Sequence, residues 1–429
     1  MTALALALAG CAERDERAAG AAAPSPSQYE ADLAKLDAEL AALAARTAGL
    51  PTSWTLIEGI ASGRLERARL TGDYNDYAIA ESLLERAFEI APTGAGPFLA
   101  RAGLNVAMHR LDRVEADLVA AERQVVIDDA MRAEIDGLRA EVAFSHGNYE
   151  AALAAYRVAA DRAPSLSSLF RLAAYSWQTA DFARAESLIT EAERAERGIS
   201  PRPRAWLELQ RGLLDLDRGR LDAALAHYRV ADSLYSGWWL IEEHIAEIAT
   251  LQGRHEEARL AYERLIPRTG DPEFMDALAS VLDELGDAAG SARWTSEAHR
   301  VYEERLARYP EASYGHALGH FLEHEPDAAR AVEIAERNRD LRPGGEAQMR
   351  LAQAYLRVGR ADAAAAAIAL ALASPWRTAE LHATAALVFD AVRDEKRAAD
   401  QRGLAEAINP GAMTDVAWLD SPARIVKTE

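Results

Sequence analysis

Apolar residues recur every three or four positions along most of this chain, in blocks that are closed by glycine or proline. In the most regular block, Gly147 to Pro164, small residues stand at Ala152 and Ala159, and Tyr156 lies between them. The i, i+4, i+7 spacing predicts a helix with one apolar face. Because variants of this block recur, we expect helical hairpins that bury their apolar faces by stacking on copies of themselves.

The order of the blocks predicts an all-α chain with a leader helix and about ten hairpins. Leucines at helical spacing place the leader helix at residues 29–50, and Pro51 ends it. The stacked hairpins are expected over residues 54–410, with less regular turns in the second and tenth units. Residues 411–429 are predicted to form a loosely attached C-terminal tail.

The distance between successive turn glycines indicates the kind of repeat. Gly219 and Gly253 are 34 residues apart, and Gly286 follows 33 residues later. The stretches Gly-Asn-Tyr-Glu-Ala-Ala-Leu-Ala-Ala-Tyr, from Gly147, and Gly-Arg-Leu-Asp-Ala-Ala-Leu-Ala-His-Tyr, from Gly219, resemble the turn and second helix of the tetratricopeptide repeat (TPR) family. Over residues 54–410 the resemblance implies a right-handed α–α superhelix, with a concave groove lined mainly by the first helix of each hairpin. It also implies a non-enzymatic scaffold for protein–protein interactions.

The charge balance narrows the class of partner. Lys and Arg together number 48 and Asp and Glu 68, which gives a net charge of −20. Such a surface disfavours nucleic acid and anionic lipid and favours basic partners, although a large negative charge also serves solubility alone. We therefore expect a protein or peptide in the groove and no nucleic acid.

The chain has a single cysteine, Cys11, at the end of a short uncharged apolar run. Leu8-Ala9-Gly10-Cys11 resembles the lipobox of bacterial lipoproteins, a family in which the signal is removed before the cysteine and its sulfur carries a diacylglycerol. The resemblance predicts a signal segment at 1–11, a flexible linker at 12–28 and a lipid anchor in the bacterial envelope. The periplasmic side of the outer membrane is favoured over the inner membrane as the place of the anchor. No basic residue precedes the apolar run, unlike a usual signal. A cytoplasmic adaptor with a chance cysteine is the alternative.

Three histidines form the most concentrated set of functional side chains. His316, His320 and His324 lie at i, i+4 and i+8 on one helix stripe of the eighth hairpin. Alignment with neighbouring hairpins places this stripe on the groove face. The stripe could bind zinc or another divalent ion, form a pH-sensitive patch for a carboxylate, or be an ordinary hydrogen-bonded face. The matching groove positions of the preceding hairpin are Asp276, Ser280 and Asp283.

Two aromatic residues share another predicted groove stripe. Phe170 and Trp177 could bind a ligand or pack between hairpins. No His-Glu-x-x-His helix, phosphate-binding loop or Gly-x-Ser-x-Gly turn occurs, and the Lys and Asn clamp by which some TPR proteins hold a C-terminal carboxylate is also missing. The sequence therefore predicts no enzymatic activity and no cofactor other than the divalent ion considered above.

Overall fold

The computed structural model describes residues 26–124, 127–198, 200–324 and 328–419. All regular secondary structure in these ranges is helical, which confirms the all-α prediction. No described helix is long and apolar enough to cross a membrane. The predicted signal segment at 1–11, Cys11 and most of the linker lie outside the described residues, as do the last residues of the tail.

A leader helix precedes ten helical hairpins, as the apolar pattern predicts. The leader is α1 (Gln28–Gly49), and its N-cap Ser27 accepts a hydrogen bond from the backbone N–H of Glu30. The hairpins are, in order, α2 (Trp54–Thr71) and α3 (Tyr74–Ile90), α4 (Phe98–Ala107) and α5 (Val114–Glu122), α6 (Asp129–Ser145) and α7 (Tyr149–Arg162), α8 (Leu166–Gln178) and α9 (Phe182–Ala195), α10 (Arg202–Leu216) and α11 (Leu221–Leu234), α12 (Trp239–Leu251) and α13 (His255–Thr269), α14 (Pro272–Glu284) and α15 (Ala288–Arg308), α16 (Pro310–Glu323) and α17 (Ala328–Leu341), α18 (Gly345–Arg357) and α19 (Ala361–Ala373), and α20 (Ala379–Ala391) and α21 (Glu395–Ile408). A short helix, α22 (Ala412–Asp415), follows.

Nine of the ten hairpins have a turn in which one residue adopts the left-handed conformation. In eight of these turns the next residue donates its backbone N–H to the carbonyl five residues earlier, as from Arg220 to Asp215 at 2.9 Å. In the first turn the Asp73 N–H donates to the Thr71 hydroxyl instead. The left-handed residue is glycine in six hairpins but His109, Ala180 or Arg393 in the second, fourth and tenth. This substitution explains why the second and tenth turns look irregular in sequence. The eighth turn lies between the described ranges.

Small residues and tyrosines fill the contacts between helices. Ala152 and Ala159 are buried, and so are Tyr156, Tyr228 and Tyr262, which occupy corresponding places in three hairpins. First helices of consecutive hairpins contact each other directly, for example α4 with α6 and α18 with α20. First helices are therefore closer together than second helices, which places them on the inner side of the superhelix.

Successive turns of the superhelix touch each other. The Tyr149 hydroxyl accepts a hydrogen bond from the Gly345 N–H at 2.6 Å, and Arg377 donates its backbone N–H to the Gln178 carbonyl at 2.8 Å. Each contact joins hairpins that are six units apart. We call this contact the seam. It closes the side of the groove along these hairpins and makes the concave face an enclosed interior.

Candidate binding surface in the superhelix interior

Carboxylates from five hairpins line the interior. They lie on the first helices α12, α14, α16 and α20 and at the C-terminal end of α10. We call this set the acidic lining, and its members are Asp217, Glu243, Glu247, Glu273, Glu323 and Glu380. Several of them lie close enough to influence one another: Asp217 with Glu247 and Glu380, Glu323 with Glu380, and Glu243 with Glu247 and Glu273.

Asp217 shows how closely these carboxylates interact. Burial raises its pKa to about 6, and the charges of Glu247 and Glu380 add to the increase. The indole N–H of Trp177 donates to Asp217 at 2.7 Å and opposes it. Because Glu380 belongs to the tenth hairpin and Asp217 to the fifth, the interior brings together residues that are far apart in sequence.

Glu323 is influenced by some of the same carboxylates as Asp217. Burial raises its pKa to about 7; the nearby Arg350 lowers it, and Asp276 and Glu380 raise it further. Arg350 also bonds to Glu380 at 2.6 Å, so a single guanidinium is shared between carboxylates. The interior consequently has more negative than positive charge around these positions.

The structure divides the predicted histidine stripe between two environments. His316 is exposed, and its Nδ1 lies 2.8 Å from Glu273 Oε1; this hydrogen bond raises the pKa of His316. His320 is buried, with Nδ1 at 2.9 Å from Asp276 Oδ1 and Nε2 at 3.3 Å from His299 Nδ1. His320 and Asp276 are thus covered, unlike the open groove positions that the repeat alignment predicts, because α15 packs over them.

The other predicted groove residues also differ from one another. Ser280 is exposed, whereas Asp283 and His324 are partly buried. Phe170 packs edge-on against Trp206, with ring centroids 4.3 Å apart, so it serves the contact between hairpins. Of the aromatic pair, Trp177 is the one that the structure brings to the acidic lining.

The histidine stripe does not converge on one point, since His316 and His320 bond to different carboxylates. Within the described ranges, a compact set of potential metal ligands is instead formed by Glu243, His244 and Glu247. This set was not predicted from the sequence, although a signal existed. Glu243 and Glu247 precede Asp276 and Ser280 by 33 residues, the spacing of Gly253 and Gly286.

A cavity of about 240 Å³ lies at the seam, between the third hairpin and the eighth to tenth. Its lining includes Phe144, Tyr149, His316, Arg342, Arg350 and Trp376. Next to it, Arg342 donates to Nε2 of His109 at 3.1 Å. Burial and the Arg342 charge lower the pKa of His109 to about 3, so its imidazole is neutral at pH 7.

No family model matches the chain, and no curated protein does either. Among solved structures, a monomeric IFIT1 mutant with Gppp-AAAA is 12% identical, covering 82% of this chain and 90% of its own, with a TM-score of 0.44. Yeast Tom70 is 14% identical over 86% and 93%, with a TM-score of 0.37. A tetratricopeptide repeat protein from Parabacteroides merdae is 18% identical over 60% and 99%, with a TM-score of 0.34.

Proposed function

We propose that this chain is a non-enzymatic TPR-like scaffold whose interior receives a basic, extended segment of a partner protein. The observation that carries the proposal is the acidic lining, in which five hairpins contribute carboxylates to one enclosed space. Arg350 and the histidines pair with some of these carboxylates, but carboxylates outnumber the cations, and a lysine or arginine side chain placed there would add the missing positive charge. Complementary charge of this kind favours selection of partners and fast association.

The shape of the interior favours an extended segment over a folded domain. The seam contacts of Tyr149 with Gly345, and of Gln178 with Arg377, close the side of the groove. A single extended strand can follow the first helices without breaking these contacts. Several carboxylates along its path would then bind basic side chains in succession.

Fluorescence anisotropy with a labelled 12-residue Lys/Arg-rich peptide tests this proposal. At pH 8, where Glu323 is mostly ionised, the double variant Glu323→Gln/Glu380→Gln should weaken binding at least ~10-fold, since it removes two interior negative charges. The matched control is Glu297→Gln/Glu304→Gln, because both glutamates pair with Arg300 on the exposed face of α15. Equal weakening by the two double variants would show that only net charge matters and would reject the interior as the binding site.

The same assay addresses nucleic acid. The expectation that the chain does not bind it rests on charge alone, and the likeness to a structure solved with Gppp-AAAA is a reason to measure it. A labelled single-stranded RNA should bind at least ~10-fold more weakly than the basic peptide at equal salt, because the acidic lining repels phosphates. RNA binding as tight as peptide binding would contradict the proposal.

We further propose that Cys11 anchors the scaffold to the bacterial envelope through a lipid. The lipobox-like run before Cys11 and the polar linker behind it support this location. Metabolic labelling with a palmitate analogue should mark the wild-type chain and leave Cys11→Ser unlabelled. An unlabelled, cytoplasmic wild-type chain would favour the alternative adaptor instead.

The alternative function, divalent-ion handling by the histidine stripe, has less support. His316 and His320 direct their Nδ1 atoms to Glu273 and Asp276, respectively, on the neighbouring hairpin. These contacts leave ligation to the Nε2 atoms, and Nε2 of His320 already lies 3.3 Å from His299 Nδ1, so ion binding by the whole stripe would require His320 to leave this neighbour.

A further inference from the structure

One helix turn of α12 places an imidazole between two carboxylates. His244 Nδ1 lies 3.0 Å from Glu243 Oε2 and 3.1 Å from Glu247 Oε2. One ligand atom from each of the three residues falls within 4.8 Å of the others. Ligand atoms that are 2.0–2.2 Å from a zinc ion lie roughly 3–3.5 Å from each other, so the observed separations suit a shared ion.

The three side chains are partly covered and remain reachable. The side-chain exposures of Glu243 and His244 are 15% and 16%, and that of Glu247 is 36%. The site therefore opens toward the interior on the Glu247 side. Such an arrangement leaves a coordination position for water or for a group of a bound partner.

A buried hydroxyl next to this turn provides independent evidence. The Tyr228 ring stacks on the His244 imidazole, with centroids 5.4 Å apart and planes inclined by 21°. Tyr228 is fully buried, and its hydroxyl has no hydrogen-bond partner among the described residues. The stacking places the Tyr228 side chain directly against this helix turn. A buried hydroxyl without a partner is costly, and an ion with its bound water would supply one.

The surrounding charges also call for a cation. The charged and titratable neighbours of Glu243 are His244, Glu247, Glu273 and Asp271. Three of these four neighbours are acidic. A divalent ion would neutralise the two carboxylates of the turn and reduce repulsion with the others.

We propose that Glu243, His244 and Glu247 bind one divalent metal ion, of the borderline class to which zinc belongs. One imidazole and two carboxylates are ligands that zinc accepts, whereas a magnesium or calcium site would use oxygen alone. The proposal does not depend on the partner segment, because the ion is held by side chains of a single helix turn.

Isothermal titration of the full chain with zinc chloride, after removal of metal by a chelator, tests the site. Wild type should bind one zinc ion at this turn, and Glu243→Gln/Glu247→Gln should bind it at least ~10-fold more weakly. The matched control is Glu242→Gln, one residue away, whose carboxylate pairs with Arg268 instead. Its zinc affinity should stay within ~2-fold of wild type.

Two further variants make the assignment specific. His244→Gln alone should lose the ligand-field absorption that cobalt(II) shows when bound to wild type, and circular dichroism will show that it is folded. His316→Gln/His320→Gln/His324→Gln should retain zinc binding. Absence of zinc binding by wild type overturns the proposal. So does the reverse pattern, in which the triple histidine variant loses zinc binding and Glu243→Gln/Glu247→Gln retains it.

Discussion

The described turns of the first five hairpins and of the last five each contain a left-handed residue, but their surroundings differ. A Cβ added at Gly72 would lie 3.3 Å from the Trp239 ring, and one at Gly219 would lie 2.4 Å from Asn409 Oδ1. By contrast, a Cβ at Gly286 or Gly359 would have no atom within 4 Å. The early turns form one side of the seam, whereas the late turns at Gly286 and Gly359 lie at a free edge.

This difference shows that one sequence motif serves two physical purposes. At both edges glycine allows a left-handed residue, with φ of 68° at Gly219 and 72° at Gly359. At the seam the missing side chain also makes room for the next turn of the superhelix. A repeat motif alone reveals the first purpose and not the second.

Replacing Gly219 by alanine should have the largest effect. Left-handed strain costs roughly 1–2 kcal/mol at either edge. Gly219→Ala must in addition displace Asn409, whose Oδ1 accepts from the Gly411 N–H at 2.8 Å, so we expect a total loss of ~2–4 kcal/mol. Gly359→Ala should lose only the strain. Urea unfolding of both variants measures the difference, and equal losses would contradict a tight seam at Gly219.

Removal of one seam hydrogen bond should have the next largest effect. Tyr149→Phe leaves the buried Gly345 N–H without its partner, which we expect to cost ~1–2 kcal/mol. The control is Tyr355→Phe, because the Tyr355 hydroxyl donates at 2.8 Å to Glu336 within the same part of the solenoid, in a more open place. It should cost less than ~0.5 kcal/mol. Hydrogen exchange at Gly345 reports opening of the seam directly, and unchanged protection in Tyr149→Phe would contradict this role.

The fold could be predicted from sequence because its determinants are local. The stripe of Ala152, Tyr156 and Ala159, together with the turn glycine Gly147, is complete within one hairpin. Stacking of such units then follows from their exposed apolar faces. Even the irregular turns adopt the same conformation, since His109 and Arg393 take the place of glycine.

The candidate site could be predicted only in part, because it depends on contacts between distant hairpins. Local alignment found Trp177 and the stripe of His316 and His320, but not the burial of His320 under α15. Proximity of Asp217 to Glu380 depends on the pitch of the superhelix, which results from many small packing angles. The seam has no periodic signal in the sequence, and the repeat pattern therefore predicts only an open groove.

The His109 seam contact predicts a dependence on pH. Its folded pKa, about 3, is below the usual value of 6.5, because burial and Arg342 disfavour the charged imidazole. His109 therefore does not change the free energy of unfolding with pH above pH 6.5. As the pH falls from 6.5 toward 3, the unfolded chain binds a proton that the folded chain does not, and the free energy of unfolding decreases. His109→Asn tolerates the left-handed turn and cannot titrate, so it should lose less stability than wild type between pH 6.5 and 4.

His227 provides a control of opposite sign at a site away from the seam. Its hydrogen bond to Glu208, at 2.7 Å, raises its pKa, so the stability it contributes is present below pH 6.5 and is lost as the pH rises through the folded value. His227→Gln should remove stability mainly on the acid side. Melting curves at several pH values compare both variants with wild type, and parallel curves for His109→Asn and wild type would rule out titration of the seam.

The smallest expected effects come from the non-glycine turns themselves. Ala180 and Arg393 have φ of 61° and 60°, so each holds left-handed strain that glycine would relieve. Arg393→Gly, at the exposed edge, should gain ~0.5–1 kcal/mol in urea unfolding. Ala180 is partly buried next to Gln178, whose carbonyl bonds to Arg377 across the seam, so Ala180→Gly should gain less because it also removes a packed methyl group. Equal gains in the free energy of unfolding would show that the seam is not closely packed at the fourth turn. The tight contact would then be limited to the turns that contain glycine.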